Sequence, residues 1–154
     1  MTIEKITLAE LGALTGEQIG VSDWFQVDQS RIDAFADCTN DHQWLHVDPI
    51  RCEQESPYKT TVAHGFLTLS LLSPMHLNAS YIPIEAKSVI NYGLESVRFM
   101  APVKNGSRVR GIIKLQELTP RGRKMYLIKT HNTIEIEGEK KPALIAELIT
   151  LITV

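Results

Sequence analysis

The sequence predicts an α+β protein in which one curved antiparallel sheet wraps around one buried helix. Helical spacing and polar loops fill the first half of the chain, whereas the part after Ser88 alternates in the manner of strands. Between the two parts lies a run that is apolar on nearly every side, which is typical of a helix buried all round. Helices followed by a meander of strands is the order of an α+β domain.

The length and composition fit one soluble domain. The chain has 154 residues, enough for a single core but too few for two ordinary domains. With 16 Lys and Arg against 18 Asp and Glu, the net charge of −2 argues against a nucleic-acid-binding surface. Cys38 and Cys52 are too few for a disulfide scaffold. The N-terminal segment is unlike a signal peptide, and no apolar run approaches the roughly 20 residues of a membrane span. We therefore expect a cytoplasmic protein that binds neither nucleic acid nor membrane.

Capping residues and periodicity define the elements before the central helix. Asp28 is a suitable N-cap, and the apolar residues after it repeat at helical spacing. Pro49 suits the first turn of a second helix. The segment between them is polar until Trp44 and has no clear period, which indicates a loop. The predicted elements are a strand over 20–27, a helix over 29–38, a loop over 39–46 and a helix over 48–55.

The central helix is predicted over residues 65–77, and strands follow it. At about 1.5 Å per residue this helix spans roughly 20 Å, the width of one small sheet. Pro74 is expected to kink its last turn. Turn signals rich in Gly and Pro separate the later apolar segments. The predicted strands cover 89–103, 109–118, 125–136 and 144–153, which makes about five with the first one. The open edges of such a sheet invite dimerisation.

The densest group of polar side chains lies in residues 39–48, whose sequence is TNDHQWLHVD. Asp41 and His46 are five residues apart, a spacing that would separate them on a helix but lets them converge in a loop that folds back. A carboxylate beside an imidazole can position and activate a water molecule. The alternative interpretation is a polar surface loop in which Asp48 caps the next helix and Trp44 packs.

A second group, His64 and Gly65, directly precedes the central helix. The free amide groups and positive potential of a helix N-terminus suit an oxyanion, and glycine would let a carbonyl group approach the backbone. The alternative is that Gly65 only permits a turn and His64 packs. Because HExxH, CxxC, Walker A and GxGxxG patterns are absent from the sequence, we expect neither a metal nor a cofactor.

Together the two groups resemble the hydratase motif of the MaoC-like dehydratases, which are (R)-specific 2-enoyl-CoA hydratases with a hot-dog fold. The resemblance extends from about residue 12 to the end and includes the segments 91–94 and 97–103. The motif residues that match are Asp41, His46, Asp48, His64 and Gly65. Three positions differ from the family pattern: Asn40 replaces the usual Gly, Gln43 the usual Asn, and Trp44 the usual Pro. This variant is similar to the branch of the family that is named after nodulation protein N.

The resemblance implies a fold, a reaction and a set of site residues. The fold is a central helix wrapped by a five-stranded antiparallel sheet, usually in a homodimer whose sheets join. Asp41 and His46 would activate one water for addition to trans-2-enoyl-CoA, or to the same acyl group on an acyl carrier protein, giving the (R)-3-hydroxyacyl product. The N–H of Gly65 would bind the thioester oxygen. Ser70 would contact the catalytic pair, and Gln43 and His64 would be further supporting residues of the site. Trp44, Phe66 and Arg98 are expected to contact the substrate. The phosphates of CoA would be bound by cationic side chains, for which the candidates are Arg98, Lys59, Lys104 and Arg108.

Two other functions stay open. An acyl-CoA thioesterase can use the same fold and also needs a carboxylate and an activated water, but it would release a free thiol. A non-catalytic acyl-CoA-binding module would bind without turnover, and the departures at Asn40, Gln43 and Trp44 leave room for it. The spacing of Asp41 and His46 favours hydration.

Overall fold

The computed structural model describes residues 5–154, and its framework is a six-stranded antiparallel sheet. The strand order is β1-β4-β5-β6-β3, and β2 also pairs with β4. The strands are β1 (Gln18–Val21), β2 (Phe25–Val27), β3 (Ser88–Phe99), β4 (Ser107–Pro120), β5 (Met125–Ile136) and β6 (Leu144–Thr153). The predicted α+β class is therefore confirmed, with six strands where about five were expected.

Within residues 5–154, six helices accompany this sheet. A capping box between Thr7 and Glu10 begins the first of them, for which the sequence analysis made no prediction. The others lie in the stretch where helices were expected. The helices are α1 (Leu8–Ala13), α2 (Gln29–Thr39), α3 (Trp44–Val47), α4 (Pro49–Glu55), α5 (Gly65–Ser70) and α6 (Leu72–Ala79). No helix within the described residues has the length and apolar character needed to cross a membrane.

Two predictions for the first half were wrong in detail. The strand expected over 20–27 is divided into β1 and β2, because Ser22 turns the chain while exchanging hydrogen bonds with Gly111 of β4. The loop expected over 39–46 is shorter, because α3 begins at Trp44. A single helical turn of four residues is too short to show a period, so pattern analysis could not identify α3.

The central helix is two helices, α5 and α6, that meet at Leu71. Pro74 has no N–H to donate to the carbonyl of Ser70, so the ladder of hydrogen bonds is broken one turn before the proline. The expected kink therefore lies nearer the middle of the helix than the last turn. Met75 of α6 is fully buried against Gly111 of β4, where an added Cβ would lie 3.0 Å from its sulfur.

The two faces and edges of the sheet are buried unequally. β5 and β6 alternate between buried and partly buried residues, as strands covered on one face do. Among the strands of the described residues, β3 pairs with β6 alone, and it is exposed along nearly its whole length. It ends at Phe99, four residues before the predicted end. Its exposed apolar side chains are Val89, Ile90, Tyr92, Leu94 and Phe99.

Candidate active site

A left-handed turn at Asn40 ends α2 and directs the polar segment back over the molecule. Asn40 has φ 59° and ψ 24°, and the N–H of Asp41 still donates to the carbonyl of Ala36. Glycine adopts this conformation most easily, and asparagine tolerates it better than most residues. The departure from glycine at Asn40 therefore preserves the local backbone shape.

Three polar side chains from separate elements meet beside this turn. Asp41 follows α2, His46 lies in α3, and His64 directly precedes α5. One ligand-type atom of each lies within 4.8 Å of the others. The rings of His46 and His64 stack, with centroids 3.7 Å apart and 26° between their planes. The segment thus folds back as expected and brings Asp41 to His46, with His64 as a third member.

Backbone carbonyls fix the protonation pattern of the two rings. Nδ1 of His46 lies 2.6 Å from the oxygen of Val62, and Nε2 of His64 lies 2.9 Å from the backbone oxygen of Asp41. A carbonyl oxygen only accepts, so each of these nitrogens carries a hydrogen. In the neutral rings, Nε2 of His46 and Nδ1 of His64 then hold the lone pairs. Nδ1 of His64 is buried and has no hydrogen-bond partner within residues 5–154.

The carboxylate is open to solvent, whereas the imidazoles lie beneath it. The side chain of Asp41 is 55% exposed and that of His64 only 3%, while His46 is 9% exposed. The Asp41 carboxylate is 3.9 Å from Nε2 of His64, too far for a hydrogen bond, and it accepts a long one of 3.4 Å from the N–H of Gln43. An incoming ligand can therefore reach the carboxylate, whereas little of either ring is open to solvent.

The same three side chains lie close enough to be considered as metal ligands. Their orientation does not favour one shared ion. A metal lies about 2.0–2.1 Å from an imidazole nitrogen and close to the ring plane, and two stacked rings have nearly parallel planes. One nitrogen of each ring is also committed to a carbonyl oxygen. The arrangement is better suited to holding a water molecule between a carboxylate and an imidazole.

Gly65 begins α5 and lies next to this group. Its N–H precedes the first hydrogen bonds of the helix, and none of the described residues accepts from it. An added Cβ would lie 3.0 Å from the ring of Phe99, so a larger residue here would require that ring to shift. Gly65 and Phe99 also line a cavity of about 350 Å³ together with Thr68. A carbonyl group in that cavity could reach the free N–H.

Other residues expected at the site make contacts outside the group formed by Asp41, His46 and His64. Ser70, expected to support the catalytic pair, donates its hydroxyl hydrogen to the carbonyl of Leu67 in its own helix. Phe66 is 69% exposed and meets Phe99 edge to face. The ring of Trp44 is covered by the guanidinium of Arg51 at 4.3 Å, which places Trp44 in a surface contact.

The cationic side chains proposed to bind CoA phosphates differ in whether they already contact other groups of the protein. Arg108 forms a bidentate pair with Glu137, and Lys59 donates to the carbonyl of Gln54. Exposed Arg98 at the end of β3 belongs to none of the ion pairs found between residues 5 and 154, and neither does Lys104.

Gln29 is a residue at the site that the sequence analysis missed. Its amide nitrogen donates to the carbonyl of His46 at 2.8 Å, and its amide oxygen accepts from the fully buried hydroxyl of Thr61. It thereby ties α2 to α3 and to the strand-like segment before His64. A lone glutamine in the first turn of a helix carries no motif, so only its contacts could reveal this role.

Comparison with known proteins identifies relatives across the whole chain. A family model described as a MaoC-like domain matches residues 10–136. The chain is 49% identical over 150 residues to nodulation protein N of Rhizobium leguminosarum bv. viciae, covering 97% of this chain and 93% of that protein. It is 46% identical over 143 residues to 3-hydroxyacyl-thioester dehydratase Z of Mycobacterium tuberculosis, covering 93% of each.

Solved structures agree at the level of the fold. The (R)-hydratase PhaJ1 from Pseudomonas aeruginosa superposes with a TM-score of 0.71 at 19% identity, covering 98% of this chain and 88% of that one. This likeness confirms the hot-dog arrangement of sheet and central helix. Since the family model spans most of the sequence and relatives above 40% identity cover nearly all of it, the chain belongs to the MaoC-like dehydratase family.

Proposed function

We propose that this protein reversibly hydrates trans-2-enoyl thioesters to (R)-3-hydroxyacyl thioesters. The observation that carries the proposal is that the Asp41 carboxylate lies within 4.8 Å of a ring nitrogen of His46, whose Nε2 holds a lone pair because Nδ1 donates to Val62. A relative at 46% identity that is named a 3-hydroxyacyl-thioester dehydratase supports the reaction class.

In the proposed mechanism, one water molecule is held between Asp41 and His46. Water is a poor nucleophile because its pKa is about 15.7, so a base must accept a proton as it attacks. Nε2 of His46 takes that proton while the water oxygen bonds to C3 of the enoyl group. The carbonyl of Val62 accepts from Nδ1 and thereby stabilises the charged ring. The proton then passes to C2 of the enolate, which completes the addition of one water.

Gly65 is proposed to bind the thioester oxygen on which negative charge develops. Its N–H is available at the start of α5, beside a cavity wide enough for a thioester. A hydrogen-bond donor fixed in place before the reaction stabilises the enolate more than the neutral carbonyl, which lowers the barrier. No metal or cofactor enters this scheme, so activity is expected to persist in the presence of a chelator.

A homodimer formed through β3 is proposed as the working form. β3 is a strand of twelve residues at a sheet edge, with exposed apolar side chains that a single chain leaves in water. A second copy could pair with this edge and cover them. Sedimentation should show a dimer for the native chain and a shift toward monomer for Ile90→Lys, and a monomeric native chain would refute the proposal.

A direct assay tests the function. Purified protein is mixed with crotonyl-CoA, and the enoyl-thioester absorbance and a chromogenic thiol reagent are followed together. Loss of the absorbance without thiol release supports hydration. Thiol release would favour the thioesterase, while calorimetric binding without any turnover would favour a binding module. CoA contacts from Arg98, Trp44 and Phe66 are tested by the Michaelis constants of their alanine variants.

A further inference from the structure

In the part of the chain that the structure describes, cavities follow one another along the central helix and β3, and three of them matter here. The first contains Gly65 and Phe99, and the second and third lie farther along the helix. Ser73 and Asn91 line both the second and the third, so these two cavities adjoin. Eleven residues of helix separate Gly65 from the third cavity at His76, a distance of about 16 Å. An acyl chain whose thioester meets Gly65 would extend along this row.

The third cavity, of about 150 Å³, carries polar side chains among apolar ones. Apolar residues of β5 and β6 line one side, as a hydrocarbon chain requires, but Ser73 and His76 face it from α6. These two residues are three apart on the helix and therefore share a face. Beside a simple alkyl chain, the remaining hydrogen-bonding capacity of these two side chains would go unused, whereas a polar group on the chain could engage it.

The hydrogen bonds around His76 determine what it can bind. The amide nitrogen of fully buried Asn132 donates to the backbone oxygens of Thr130 and Ala146, so its amide oxygen faces His76. That oxygen lies 2.7 Å from Nε2 of His76, which must therefore be the donor. Burial lowers the pKa of His76, which keeps the ring neutral with its lone pair on Nδ1.

Nδ1 of His76 is left with acceptor capacity. Its neighbour is the hydroxyl of Ser80 at 3.3 Å, but that hydroxyl has one hydrogen and lies nearer the backbone carbonyl of His76, at 2.9 Å. On the same helix face, Ser73 accepts from the amide of Asn91, which leaves its own hydrogen free to donate. The cavity thus offers one acceptor and one donor a helical turn apart.

We propose that this cavity recognises a hydroxyl group carried by the acyl chain far from the thioester. The hydroxyl hydrogen donates to Nδ1 of His76, and its oxygen accepts from Ser73. The substrate class would then be 2-enoyl thioesters that bear a second oxygen function near the distal end of the chain. This inference rests on the proposed function, because the proposed hydration places the thioester at Gly65 and thereby sets the direction of the acyl chain.

The test compares matched substrates that differ only in the distal hydroxyl. The probes are trans-2-decenoyl-CoA and 10-hydroxy-trans-2-decenoyl-CoA, with the corresponding twelve-carbon pair. The native protein should show kcat/KM roughly tenfold higher for the hydroxylated member at the matching length. His76→Phe and Ser73→Ala should each reduce that ratio toward one. His131→Phe, the same substitution on the opposite face of β5, should leave the ratio and the rate with crotonyl-CoA unchanged.

Calorimetry separates this inference from the proposed reaction. The dissociation constants of the same pairs are measured directly, so the preference is visible even if no turnover occurs. Absence of hydration of crotonyl-CoA and of every longer probe would overturn the proposed function alone, while tenfold tighter binding of the hydroxylated probe would still support the cavity's role. Equal binding and equal turnover of both members at both lengths in the native protein would overturn the inference, whether or not the variants fold.

Discussion

Two Asp–His pairs with the same five-residue spacing lie in neighbouring parts of the chain, and they differ in almost everything else. Asp37 and His42 bond directly to each other at 2.9 Å, with side chains 76% and 51% exposed. Among the described residues, Asp41 and His46 form no direct hydrogen bond with each other. The ring of His46 is instead held by the carbonyl of Val62 and is nearly buried. Spacing alone therefore does not make a site; the partner of each ring nitrogen and its burial do.

The largest expected effect contrasts these two pairs by the same substitutions. Asp41→Asn and His46→Gln should each lower kcat for crotonyl-CoA by roughly 10²- to 10⁴-fold, because each removes a group that activates the water. The matched variants Asp37→Asn and His42→Gln should retain native rates, since that pair is exposed and self-contained. Steady-state kinetics of the four folded variants measure the contrast, and equal losses in both pairs would remove the distinction.

A second effect concerns the glycine that faces the same site. Gly65→Ala should lower kcat by about 10- to 100-fold, because the new methyl group meets the ring of Phe99 at 3.0 Å and displaces the N–H. Adding Phe99→Leu should restore part of the rate by making room. Rates are compared together with thermal melting, and full activity of the single variant would argue against the placement of the oxyanion at Gly65.

A third effect tests the anchoring of His46. Gln29→Leu removes the amide that binds the His46 carbonyl and leaves the buried Thr61 hydroxyl unpaired, at a cost of about 1–3 kcal/mol in unfolding free energy. The double variant with Thr61→Val should cost less than the sum of the two singles, since both side chains share one network. Urea unfolding measures all three, and strict additivity would contradict the coupling.

The smallest effect is a pH dependence from the histidine at the other end of the helix. Because burial lowers the pKa of His76 below 6.5, the unfolded chain binds its proton first and stability falls as pH drops below that value. His76→Phe should therefore reduce this loss of stability on the acid side, in the pH range between 6.5 and the lower pKa that His76 has in the folded protein. The free energy of unfolding of both proteins is measured across this pH range at fixed ionic strength. If its slope against pH is the same in the variant and the native protein, His76 is not the source of the pH dependence.

The fold and the motif residues were largely predictable, whereas the connections around them were not. Periodicity located α2 and the four long strands, since strands of ten to fourteen residues and capped helices carry strong patterns. The single-turn α3 and the break at Leu71 depend on individual hydrogen bonds. Asp41 and His46 were predicted from their chemistry and from the motif, but the contacts of Gln29 and Asn132 join residues far apart in sequence, and no local spacing encodes them.

The most direct test of the central claim follows crotonyl-CoA by proton nuclear magnetic resonance with native protein and Asp41→Asn in parallel. Hydration by the Asp41–His46 pair predicts that the vinyl signals decay into those of 3-hydroxybutyryl-CoA with the native protein and persist with the folded variant. Equal conversion by both proteins, or formation of crotonate and free CoA, would contradict it.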